Sequence, residues 1–117
     1  MSYPFELGGE TLWDAGYHSG QLYVFLARGA AEFLELPSGL TANPQGGCDV
    51  ESEPFRAFVE GLYGMYSSTT NEVLHGLAQG LLVTSLVLLE RAGGVITLRP
   101  PHVALWEERD ALARTMA

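Results

Sequence analysis

The chain has 117 residues, 47% hydrophobic and 17% charged, with six Lys+Arg (all of them Arg) against fourteen acids and a formal net charge of −8. That length fits a single domain, 1–117, able to bury a core of its own, and the composition excludes a disordered or disulfide-stapled chain, since Cys48 is the only cysteine. The acidic balance keeps a small domain soluble, opposes nucleic acid and anionic lipid, and favours a basic protein as partner.

The segment Met1–Glu10 has neither a basic start nor an apolar run, so no signal peptide is expected. The longest apolar stretch, Leu81–Leu89, is far shorter than the ~20 residues of a membrane span. A cytoplasmic protein without a membrane segment is the expectation, and the lone thiol suits a reducing compartment.

Gly8-Gly9 between short apolar runs predicts a β-hairpin over Phe5–Trp13, with Phe5 opposite Leu12 and Pro4 at a strand start or sheet edge. A first helix is expected from Ser19 to Glu35, capped by Ser19 and ended before Pro37. Its inward stripe is read as Leu22, Leu26, Gly29, Phe33 and Leu36, widened by Phe25. Thr41–Asp49, with Asn-Pro and Gly-Gly, reads as the longest loop.

A second helix should follow Ser52 and run to about Tyr66, burying Phe55, Phe58, Val59, Leu62 and Tyr66; Pro54 is tolerated in its first turn. A third starts at the capping-box pattern Thr69-Thr70-Asn71-Glu72 and ends at Gly93. Leu74, Leu77, Leu81 and Leu88 make its stripe, and from Leu81 onward it is apolar nearly all round, as a central buried helix is. Val95–Leu98 reads as a short strand. Val103–Met116 reads as a last amphipathic helix with Leu105, Leu112 and Met116 inward, although Val103–Trp106 also suits a strand.

The expected fold is therefore α+β: three main helices, a buried hairpin of the second and third at the centre, packed on a small antiparallel sheet made by the N-terminal hairpin and the Val95 strand. A C-terminal helix is a possible addition, and a mostly α bundle is the alternative. The succession Leu12-Trp13-Asp14, Glu35-Leu36-Pro37-Ser38-Gly39, Cys48-Asp49-Val50-Glu51 and Leu86–Gly93 resembles a family of small uncharacterised bacterial proteins catalogued as a domain of unknown function. The resemblance covers roughly residues 1–94. It implies a small cytoplasmic protein and assigns no catalytic residues.

Glu72 and His75, three apart on a helix, share a face and form the one Glu-x-x-His motif, half of what a carboxylate-bridged metal site requires. A homodimer would supply the second copy; as a monomer the pair reads as cap and flank, and no cofactor is expected. Cys48 lies between Gly-Gly and the acids Asp49 and Glu51, which disfavour a thiolate. No GxxxxGK[ST] or GxGxxG occurs, and Gly76 and Gly80, with Gly29 and Gly64, read as surfaces for close helix approach. Trp13, Tyr17, Tyr63 and Tyr66 are candidate walls of a ligand pocket. Asp49, Glu51 and Glu53 are a candidate docking cluster for a basic partner. The expected function is a non-enzymatic interaction module of regulator, accessory or immunity type. The other expectation is a small enzyme or binding protein for a natural-product-like molecule.

Overall fold

A computed structural model describes residues 1–116. It is an α+β structure. Strands β1 (Ser2–Leu7) and β2 (Glu10–Gly16) are followed by α1 (Tyr17–Leu34) and by strands β3 (Leu40–Ala42) and β4 (Cys48–Val50). Helices α2 (Ser52–Ser68), α3 (Glu72–Arg91) and α4 (Ala104–Ala113) complete it.

Gly8 and Gly9 turn the β1–β2 hairpin with φ of +57° and +87°, the conformation a tight primed turn demands. The register departs from the simple reading. Phe5 faces Trp13 and Glu6 faces Thr11, so Leu12 is an extra residue on β2 and forms a bulge. The bulge lets both Leu12 and Trp13 be buried, and the Phe5 and Trp13 rings stack at 5.0 Å. Pro4 lies on an inner strand rather than an edge, because the sheet order is β2-β1-β4-β3. Its missing donor costs little there, since β4 pairs only with Phe5 and Glu6.

The sheet is mixed, not purely antiparallel, because β1 and β4 run parallel. Its second half comes from the segment expected to be a loop. Asn43 Oδ1 accepts hydrogen bonds from the backbone N–H of Gln45 (3.1 Å) and Gly47 (3.0 Å), folding Asn-Pro-Gln-Gly-Gly into the turn of a β3–β4 hairpin. Cys48 is thus a fully buried strand residue, not part of a flexible loop. Val95–Leu98 forms no strand among the described residues. Ile96 and Leu98 are buried and Val95 is exposed, so its alternation records burial without backbone pairing.

The α2 reading holds: Phe55, Phe58, Val59 and Leu62 are fully buried and Tyr66 nearly so. In α3, Asn71 rather than Thr69 is the cap, accepting from the Leu74 N–H at 3.0 Å, while Thr69 Oγ1 takes the Asn71 N–H. Gly93, at φ +83°, follows the helix end as expected. Residues 104–113 are helical, which settles the C-terminal ambiguity; Leu105 and Met116 point into the core.

Helix α1 begins at Tyr17, with no side-chain cap, so Ser19 is inside it. Its buried face is Gly20, Tyr23, Val24, Ala27 and Ala31, not the stripe read from the sequence. Small residues win this face because the helix lies close on the sheet: a Cβ at Gly20 would sit 2.7 Å from the Tyr3 ring. α1 meets α3 through a buried hydrogen bond, 2.7 Å, between the Tyr23 and Ser85 hydroxyls. Arg91 ties the C-terminus down, donating to the carbonyl oxygens of Leu12 (3.0 Å), Ala113 (3.2 Å) and Met116 (2.6 Å). α3 is long and apolar enough to cross a membrane, as core helices often are; here its second half is the centre of the core.

Candidate interaction surface

The residues read as the inner stripe of α1 face solvent, except Leu36, which is half-buried beyond the helix end. Leu22 is 59% exposed, Leu26 52%, Phe25 74% and Phe33 71%. The first half of α3 does the same, with Val73 71% and Leu77 75% exposed. The expectation that Leu77 belongs to the core is corrected; Leu81 is half-buried, and of that stripe only Leu88 is fully buried. Beside Tyr23 a groove runs between the two helices.

One segment of the groove, about 370 Å³, is walled by Trp13, Leu22, Leu26, Leu81, Leu112 and Met116. The next, about 430 Å³, shares Leu26, Gly80 and Leu81 with it and continues along Ala30, Met65, Leu74 and Leu77. Among the described residues no charged side chain lines either segment. The sequence accounts for this: Tyr17–Ala27 of α1 and Val73–Leu89 of α3 contain no Asp, Glu, Lys or Arg. The glycines do not mediate helix approach as expected. A Cβ at Gly29, Gly64, Gly76 or Gly80 would meet nothing within 4 Å; Gly76 and Gly80 line the groove.

The four candidate pocket aromatics are split between two places. Trp13 stacks on Phe5, which touches Tyr3, which in turn packs edge-on against Tyr17. Tyr63 and Tyr66 lie elsewhere, with two histidines. The Tyr63 phenol accepts the Arg99 N–H at 2.8 Å and is hydrogen bonded to His102 Nδ1 at 3.0 Å. Tyr66 stacks on His75 at 4.3 Å, and burial, with Glu108 nearby, raises its phenol pKa. These contacts pin the C-terminal segment onto α2 and α3 rather than opening a pocket.

His75 Nε2 is buried without a partner, but Glu72 is exposed at the helix start, and among the described residues no three His, Cys, Asp or Glu side chains converge as metal ligands. Asp49, Glu51 and Glu53 are all exposed. Asp49 accepts from Asn43 Nδ2 at 3.1 Å, and Glu53 is paired with Arg56 at 3.4 Å. Burial pushes the Cys48 thiol up to about 12, with Asp49 adding to it, so it is no nucleophile at neutral pH.

The apolar face was missed because its spacing is what a core stripe looks like. The signal that points to it is excess: α1 has a second, independent apolar face, and one helix on one sheet buries only one.

Fold and surface together define a small α+β protein with an exposed apolar groove between two helices, free of charged lining residues. The chain belongs to DUF6086, a family of unknown function, which it matches over residues 1–117. The likeness seen in residues 1–94 therefore extends through α4. No curated protein and no solved structure matches it.

Proposed function

We propose that the protein is a non-enzymatic interaction module of regulator, accessory or immunity type, working in the cytoplasm and docking through the α1–α3 face. The observation that carries this reading is an uncharged groove between two helices, walled by the exposed side chains of Leu22, Leu26 and Leu77, with Phe33 and Val73 exposed further along the same helices. Contiguous exposed apolar surface of this kind marks contact sites on soluble domains. Aromatic and aliphatic residues with few charges are the composition of an interface centre. The acids do not line the groove, and across the rest of the surface they would repel nucleic acid.

The test is site-specific photo-crosslinking in cells. A photoreactive residue at Leu77 should give discrete protein adducts, and one at Glu60, on the charged face of α2, should not. Adducts from Glu60 alone would contradict the reading. A second reading, binding of a small apolar molecule, is favoured by one feature: the Trp13 end of the groove has the volume and apolar walls of a ligand site. A ligand there would protect Trp13 fluorescence from quenching and leave Leu77 free.

A further inference from the structure

We infer that the occupant of this face is a second copy of the same chain, related by a two-fold axis; the inference rests on the interaction reading above and names its partner. The first argument is charge. Two chains of net charge −8 repel each other wherever their acids meet. The α1–α3 groove has no charged lining, so a contact there sets no acid of one copy directly against an acid of the other within the groove. A heterologous basic partner would be expected to meet acids among the groove walls, and none is there.

The second argument is spacing and shape. Leu22, Leu26, Gly29 and Phe33 recur at alternating four- and three-residue steps on the outer side of α1, and Val73, Leu77, Gly80 and Thr84 do so on α3. That alternation is the seam by which helices pack on other helices. Each copy offers both parts of a self-complementary contact: a ridge, Leu22, Leu26 and Phe33, and a valley floored by Gly76 and Gly80, where a Cβ would meet nothing within 4 Å. A two-fold axis seats each ridge in the other copy's valley, so four helices enclose one apolar seam.

The third argument is area. Leu22, Leu26, Phe33, Val73 and Leu77 expose on the order of 600 Å² of apolar surface, before the half-buried walls Met65, Leu74 and Leu81 are added; a standard interface needs ~800 Å² per partner.

The test is light scattering and sedimentation of the full chain over a hundredfold range of concentration, at low and at high salt. The expected mass is twice that of the chain, with dissociation on dilution and a dissociation constant that falls several-fold as salt screens like charges. Leu26→Glu should make the protein monomeric with an unchanged circular dichroism spectrum. Gly80→Gln, at a position with open space in the single chain, should weaken the dimer while leaving the melting temperature of the monomer unchanged or higher. A monomer at every concentration overturns the inference. If Leu77 then still crosslinks to another protein, or the chain sediments with phosphatidylcholine vesicles through Leu26, the face has a different occupant and only the second-copy inference fails. If Leu77 yields no adduct of any kind, the interaction reading fails with it. A dimer that survives both substitutions, or that weakens with salt, places the contact elsewhere and also overturns the inference.

Discussion

In α2, Phe55, Phe58, Val59 and Leu62 are fully buried; in α1, Leu22, Leu26 and Phe33, spaced just as regularly, are more than half exposed. The two helices differ on their other faces. The outer side of α2 carries Glu53, Arg56 and Glu60, with Arg56 paired to both acids, so only one side of that helix can enter the core. The outer side of α1 carries no such charges through Ala27, and its small-residue side, with Gly20 under the Tyr3 ring, lies closer to the sheet than a leucine side would allow. Periodicity identifies an apolar face. Charge on the opposite face decides whether it points inward, and α1 leaves that decision to packing.

The largest effects should separate the halves of α3. Leu88→Asp buries an unpaired carboxylate at a fully buried position, costing several kcal/mol, on the order of the ~5–15 kcal/mol that holds a domain together, and should unfold the protein. Leu77→Asp, at a position 75% exposed, should cost under about 1 kcal/mol. Equal loss of structure in both variants, read by urea denaturation, would erase the distinction.

The same contrast holds between α2 and α1 at smaller scale. Phe58→Ala should cost ~3–5 kcal/mol, and Phe33→Ala no more than about 0.5 kcal/mol in the monomer. The Tyr23–Ser85 hydrogen bond, which sets the floor of the groove, sharpens the comparison. Ser85→Ala strands a buried phenol and should cost ~1–3 kcal/mol, whereas adding Tyr23→Phe should recover part of that loss in a double-mutant cycle.

The buried side of the molecule should also announce itself in alkali. Cys48 has its thiol raised from 9.0 to about 12, and burial raises Tyr23 too. Both bind their protons more tightly when folded. The Cys48 contribution to stability is complete below its unfolded pKa of about 9 and is lost as pH rises from there toward about 12; the Tyr23 contribution begins to be lost only above its own unfolded value of 10.0. Denaturation midpoints should fall across that window, and Cys48 should resist thiol reagents until the protein unfolds. The smallest effect belongs to the acids: Glu51→Gln with Glu53→Gln removes favourable charge from the start of α2 and should cost less than about 1 kcal/mol.

Much of the fold was legible where local chemistry and packing agree: the Gly8-Gly9 turn, the buried face of α2, the stop at Gly93. Two things were not. The β3–β4 hairpin is held by Asn43 hydrogen bonds and a parallel pairing to β1, neither of which leaves a periodic pattern in three-residue strands. The β1–β2 bulge at Leu12 shifts the register without any change in composition. The candidate surface was visible as residues and invisible as a surface, since an interface stripe and a core stripe are written in the same letters. The acidic trio is exposed, and the four aromatics do not gather into one pocket, because three of them do their packing with Phe5, His75 and His102 instead.

The central claim is that the chain leaves the α1–α3 face uncovered and that another surface covers it. Leucine-methyl NMR spectra over a dilution series test this most directly. The methyls of Leu22, Leu26 and Leu77 should shift with protein concentration while those of Leu82, Leu86 and Leu88, buried in the same chain, stay fixed. Concentration-independent Leu22, Leu26 and Leu77 signals showing contacts to Phe5, Phe58 or Leu88 would place that stripe inside the core and contradict the account.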